Sequence, residues 1–144
     1  MGYDKVWILE EDTIAPVDTL KKLLEVDAPV VSGCYILRHG CMVSNIFLKI
    51  EKSVERWEDL QRFKNQTIEV EGGAMGCLLV DKAVLKDFNF LLRDNYAPDT
   101  TFMRHCVKNR IRQMARLDVQ CGHIRADGKI LWPDDKTGWR LADA

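Results

Sequence analysis

The apolar run Val6-Trp7-Ile8-Leu9 stops at three consecutive carboxylates, Glu10-Glu11-Asp12, and a proline-led amphipathic segment follows at once. A short apolar run bounded by polar residues reads as a buried strand, and acids at its C-terminal end lie where open α/β sheets bind ligands. Glu10 and Asp12 stand at i and i+2. On extended backbone both point the same way, so the pair can share one divalent cation. The plainer alternative is that Asp12 or Thr13 caps the helix that Pro16 opens.

In that helix Val17, Leu20, Leu23 and Leu24 fall on one face, with Lys21, Lys22 and Glu25 opposite, and Pro29 marks its break. Val30, Val31 and residues 34–37 read as a second buried strand, which makes the opening third a strand-helix-strand unit of the parallel α/β kind. Residues 43–50 predict a third strand after a turn at Gly40. The charge-rich stretch 51–65 keeps only Val54, Trp57, Leu60 and Phe63 at helical spacing, as in a short surface helix. Residues 67–70 alternate like a strand. Gly72-Gly73-Ala74-Met75-Gly76 reads as a flexible loop, either a plain hairpin loop or one that lets a ligand approach the backbone. A strand at 77–80 and a short helix at 82–87 follow.

Pro98-Asp99 has the character of a helix start, and Phe102, Met103, Cys106, Val107, Ile111 and Met114 carry its apolar face to about residue 114. At the helix entrance the dipole favours an ionised Asp99, available as a base or as a cap. A strand at 115–121 leads into Gly122-His123-Ile124, Asp127-Gly128 makes a turn, and 129–132 is a last strand. The tail, 133–144, reads as loosely ordered. A neutral His123 beside Gly122 can complete an oxygen-rich metal site.

The 144 residues fit a single domain, and 47% hydrophobic residues, 30% charged residues and a formal net charge of −1 are ordinary for a globular protein, with no global charge directed at nucleic acid. Arg104, His105, Lys108, Arg110, Arg112 and Arg116 crowd one helix and its exit and can contact phosphates, which leaves a nucleic-acid-binding module as a subordinate reading. No run reaches the length of a membrane span and no leader pattern opens the chain, so a cytoplasmic location is expected. Five cysteines, odd in number and without a CxxC pair, argue against a disulfide framework. Cys34, His39 and Cys41 with Cys121 or His123 fit no standard zinc spacing.

Taken in order, four segments resemble the C-terminal half of a GT-A glycosyltransferase domain of the family-2-like kind, over residues 3 to 124. The run from Trp7 through Glu10-Glu11-Asp12 to Pro16 resembles the strand, Asp-x-Asp type motif and proline of that family, with Glu10 in place of the first aspartate. Val30-Val31-Ser32-Gly33-Cys34-Tyr35 is similar to its Gly-x-Tyr strand, and Gly76-Cys77-Leu78-Leu79-Val80 to the signature after it. Pro98-Asp99-Thr100-Thr101-Phe102 resembles the helix start that carries the catalytic base, with Pro98 in place of an acidic neighbour. Residues 117–124 resemble the segment whose histidine binds metal.

The resemblance implies an α/β fold, a truncated GT-A mixed sheet flanked by helices. It implies transfer of a hexosyl-type group from a nucleotide-sugar donor to a hydroxyl acceptor, with Mn2+ or Mg2+ held by Glu10, Asp12 and His123 and with Asp99 as base. It places Glu11, Gly72, Gly73, Ala74, Met75, Gly76 and Trp132 against donor or acceptor. Trp132 and Trp139 have packing of the tail as their alternative, and Lys129, Lys136 and Arg140 either close over phosphates or are solvated. The strands that bind base and ribose in such domains have no counterpart here. The chain is therefore expected to be a piece of a longer protein, to be completed by a partner, or to be a non-catalytic binding or structural protein on the reduced fold. A sheet cut at this point exposes a strand edge, for which a homo-oligomer or a covering partner is expected.

Overall fold

A computed structural model describes residues 2–37, 42–63, 65–89 and 97–144. Strand β1 (Lys5–Leu9) runs into the acidic turn, a short β2 (Thr13–Ile14) follows it, and helix α1 (Thr19–Leu24) leads to β3 (Val30–Cys34). Next come β4 (Ile46–Phe47), helix α2 (Trp57–Leu60) extended by a 3₁₀ turn over Gln61–Phe63, β5 (Thr67–Val70), β6 (Gly72–Gly73), β7 (Cys77–Asp81) and helix α3 (Lys82–Lys86). Helix α4 (Pro98–Lys108) precedes β8 (Gln113–Gln120), β9 (Gly122–Ile124), β10 (Ile130–Asp134) and β11 (Gly138–Ala142).

The chain has a mixed α/β fold, rich in sheet. Its main sheet has the order β1-β7-β3-β8-β5, with β3 parallel to β8 and the other neighbours antiparallel. This corrects the expected parallel unit: β1 and β3 run the same way, but β7 is inserted between them and is antiparallel to both. Side chains alternate across the sheet. Val31 and Leu79 pack with Leu23 of α1 on one face, whereas Val30, Leu78 and Val80 pack with Phe102 and Cys106 of α4 on the other. β8 shows the same alternation, burying Ala115, Leu117 and Val119 and leaving the residues between them half covered.

A second sheet, β11-β10-β9-β2, closes a further core of Ile36, Ile46, Trp57, Leu60, Leu117 and Leu131. Trp57 is wholly buried there and its Nε1 donates to Asp135 Oδ1 at 3.1 Å. The tail expected to be loose is therefore ordered, since β11 pairs with β10 from Ile130↔Ala142 to Asp134↔Gly138. Proline is accepted at position 133 because the ladder from β10 to β9 has already ended at Leu131.

Other boundaries moved for local reasons. Helix α1 begins at Thr19, whose amide donates to the Pro16 carbonyl at 3.0 Å, so Val17 lies outside it and is fully exposed. The third strand shrinks to β4, and the surface helix to α2 and its 3₁₀ turn. Helix α4 stops at Lys108; Arg110 takes a left-handed φ of 55°, and Met114 belongs to β8 instead. The expected turn at Asp127-Gly128 is present, with Gly128 at φ 79°. Cys34, Cys77, Cys106 and Cys121 are buried and unbridged, while Gly40, His39 and Cys41 lie outside the described residues. Among the described residues no helix is long and apolar enough to cross a membrane.

Candidate functional site

Three strand ends and one helix start bring together residues far apart in the chain. At the end of β1 the Glu10 amide donates to the Gly76 carbonyl at 3.2 Å, which ties the acidic turn to the start of β7. The chain then reverses, Thr13 N–H donating to the Glu10 carbonyl at 3.0 Å, and β2 pairs with β9 so that Thr13 faces His123. The Ile124 amide donates to the Asp12 carbonyl at 2.8 Å. Local turn geometry thus carries Asp12 to His123, with Oδ2 and Nε2 3.5 Å apart. The capping alternative for Asp12 and Thr13 falls away, because Asp18 occupies the residue before α1.

His123 is buried, and its Nδ1 lies 2.8 Å from the Ile36 carbonyl. A carbonyl only accepts, so Nδ1 carries a proton, and Nε2 is the ring nitrogen that faces Asp12. A carboxylate oxygen and a ring nitrogen at this separation can share a proton or a cation. The Tyr35 ring meets His123 edge-on, with centroids 5.2 Å apart and planes at 78°. Its hydroxyl accepts the Gly76 amide at 3.0 Å, and burial raises the hydroxyl pKa, with Glu10 and Asp99 adding to the rise.

Asp99 sits in the first turn of α4, where its Oδ1 accepts the Thr100 amide at 2.7 Å. Ala97, not Asp99, occupies the N-cap. The Glu10 pKa is raised, first by burial and then by the charges of Asp12, Asp99 and Glu11, with His123 opposing. Glu10, Asp12, Asp99 and His123 therefore share one electrostatic neighbourhood. Among the described residues no three His, Cys, Asp or Glu side chains are grouped to hold a metal by themselves. Asp12 and His123 could offer a cation one carboxylate oxygen and one imidazole nitrogen, leaving its other positions to water or phosphate oxygens.

The other expected site residues fare differently. Glu11 is exposed in the turn and acts on Glu10 through charge. The segment expected to be an open, flexible loop is closed and buried. Gly72 and Gly73 pair with β4 and lie against Met103 and Ser32, the Ala74 amide donates to the Asn45 carbonyl at 3.2 Å, and Met75 joins the core under α4. Gly76 bonds both the acidic turn and Tyr35, and Ala74 shares the Tyr35 core. Trp132 packs over Gly122 and under the Arg140 guanidinium, 5.6 Å from its ring centroid, as its packing alternative has it. Lys129 and Lys136 are exposed.

Two features went unread in the sequence. The Ile36 carbonyl fixes the His123 tautomer, and no side-chain pattern marks a carbonyl. Thr13 stands buried across from His123 with a hydroxyl that has no hydrogen-bond partner among the described residues. Of the basic cluster, Arg104, His105 and Lys108 lie on α4, while two others are engaged elsewhere. Arg116 pairs with Glu25 and Asp118 at 2.6 and 2.8 Å, and Arg112 donates to the Asp27 carbonyl. In the zinc alternative, Cys34 and Cys121 are core thiols with raised pKa values; burial is the main cause for Cys34, and a hydrogen bond with Cys77 for Cys121.

No family model matches the sequence, and no curated protein matches it. In three dimensions the chain is similar to the crystal structure of A197 from STIV, with a TM-score of 0.65 at 19% identity over 99% of this chain and 68% of A197. At that identity the likeness is one of fold.

Proposed function

We propose that this chain is a GT-A-type domain that transfers a glycosyl group from a nucleotide-sugar donor to a hydroxyl acceptor with the help of a divalent cation. The observation that carries the reading is the meeting of Asp12 and His123, with Glu10 and Asp99 in the same field, from three separate segments of the chain. Asp12 and His123, with Glu10 at the end of β1, are the residues that would hold Mn2+ or Mg2+. When bound, such a cation would supply Lewis-acid stabilisation of a leaving diphosphate. Tyr35 and the Ile36 carbonyl keep the imidazole in its ligating tautomer and orientation. Asp99, with one oxygen held by the Thr100 amide, uses the other to accept a proton from the acceptor hydroxyl.

Calorimetric titration with Mn2+ and a panel of nucleoside diphosphates tests this on the wild type, Asp12→Ala and His123→Ala. Diphosphate binding is expected only with Mn2+ present, and to weaken at least about tenfold in each variant. Binding that ignores the metal or both substitutions sinks the reading and favours a non-catalytic role for the same fold.

A further inference from the structure

The pairing of β2 with β9 sets one further side chain beside the imidazole. The Ile124 amide donates to the Asp12 carbonyl, while the Thr13 amide turns the other way, to the Glu10 carbonyl. Thr13 and His123, direct partners in this ladder, are therefore a non-hydrogen-bonded pair. Such pairs bring their Cα atoms to about 4.5 Å and stand their side chains together on one face. On its other flank His123 is paired with Leu131, which is wholly buried in the core that the second sheet closes. The face shared by Thr13, His123 and Leu131 is thus the inward one, where the Ile36 carbonyl holds His123 Nδ1. Thr13 is 7% exposed, and its buried Oγ1 has no hydrogen-bond partner among the described residues. A buried hydroxyl left unpaired lowers stability, and in a native structure such a group commonly marks a bound water, an ion or a catalytic role.

We infer that Thr13 is a third protein contact of the cation site at Asp12 and His123, offering its Oγ1 lone pairs to a water in the shell of the bound ion. This rests on the cation reading of that pair proposed above and adds a residue to it. Three observations meet here: the hydroxyl is unpaired, its residue is the cross-strand neighbour of His123, and it follows Asp12 directly in the chain. The chemistry suits the place. Hard divalent cations keep several waters when protein ligands are few, and a water polarised by the ion is a strong donor in search of an acceptor. A hydroxyl accepts such a hydrogen without adding a further negative charge to a turn that already holds Glu10, Glu11 and Asp12. Thr13 acts through the ion's shell and not on a reacting atom, so it is a positioning residue, one that leaves the metal-free chain with an unpaired group and is satisfied when the ion arrives.

Titration of the full chain with Mn2+ alone, followed by loss of the free-ion electron paramagnetic resonance signal, tests this on the wild type, Thr13→Val, Thr13→Ser and Asp12→Ala. Urea unfolding of each metal-free protein is measured alongside. The wild type is expected to bind Mn2+ and Asp12→Ala to lose it. Thr13→Val, which keeps the side chain's shape and removes the hydroxyl, should raise the Mn2+ dissociation constant at least about tenfold, and Thr13→Ser should restore it toward the wild-type value. Metal-free Thr13→Val should unfold at the same urea concentration as the wild type or a higher one, because it removes a group that has no partner there. Thr13→Val binding Mn2+ as the wild type does overturns the role of Thr13 alone and leaves the pair of Asp12 and His123 standing. Thr13→Ser binding as weakly as Thr13→Val, or metal-free Thr13→Val unfolding earlier than the wild type, shows the side chain to serve packing and overturns it too. A wild type that binds no Mn2+, or binds it equally after Asp12→Ala, takes down the cation reading and this inference together.

Discussion

Gly76→Ala probes the contact that holds the site together. A Cβ at this position would lie 2.6 Å from Cζ, 2.7 Å from the hydroxyl oxygen and 2.8 Å from Cε1 of Tyr35. The ring cannot easily yield, because it is buried, rests against His123 and accepts the Gly76 amide. Forcing a methyl group into such packing costs about 1–3 kcal/mol, and loss of the amide–hydroxyl bond adds about 0.5–1.5. Gly76 does not occupy the left-handed region, so alanine restricts the unfolded chain without backbone strain and returns about 0.4–1 kcal/mol. The net loss is about 0.5–4 kcal/mol, or a fall of roughly 0.25–2 M in the urea midpoint for a slope of about 2 kcal/mol/M. In a Tyr35→Ala background the obstacle is gone, and the same substitution should be neutral or slightly stabilising. The reasoning fails if Gly76→Ala leaves the midpoint unchanged, or if its cost is the same with and without the Tyr35 ring.

Trp57→Ala empties the centre of the second core and should cost about 3–5 kcal/mol, whereas Trp57→Phe, which keeps most of the ring and loses the bond to Asp135, should cost far less; thermal unfolding of the pair checks the difference. Glu10→Gln tests the crowding of carboxylates. Because the folded-state pKa of Glu10 lies above its ordinary 4.5, the folded state binds that proton more tightly than the unfolded one. Its contribution to stability is therefore fully present below pH 4.5 and lost as pH rises through the raised value, which makes ionised Glu10 a liability at neutral pH. The glutamine variant should be more stable than the wild type at pH 7, with the gain fading by pH 4; equal urea midpoints at pH 7 would count against the cluster.

What could be read from the sequence was what local periodicity encodes. Residues 67–70 and 77–80 carry their own alternation or apolar run, and Pro98 sets a helix start through its fixed φ and missing N–H, so β5, β7 and α4 lie where expected. The end of α4 was not legible, because Ile111 and Met114 continue the helical spacing while Met114 also begins the two-residue alternation of β8. Only the left-handed turn at Arg110 decides between the two periods. Nor could sheet order be read. The insertion of β7 between β1 and β3 depends on pairings between residues more than forty positions apart, such as Val30↔Val80, and hydrophobic pattern reports a buried face without naming the neighbour. The candidate site divides along the same line. Carboxylates at a strand end, an acid at a helix start and a histidine after a strand each leave a local trace. The closed packing of residues 72–76 does not, because a glycine required by a Tyr35 ring forty-one positions away and a glycine required by a turn are the same letter. Gly76 therefore joins a local reading to a tertiary one: its carbonyl accepts the Glu10 amide, its own amide donates to the Tyr35 hydroxyl oxygen, and through that ring it bears on His123. A substitution there should move the acid turn and the imidazole together, which no periodicity in the chain would have foretold.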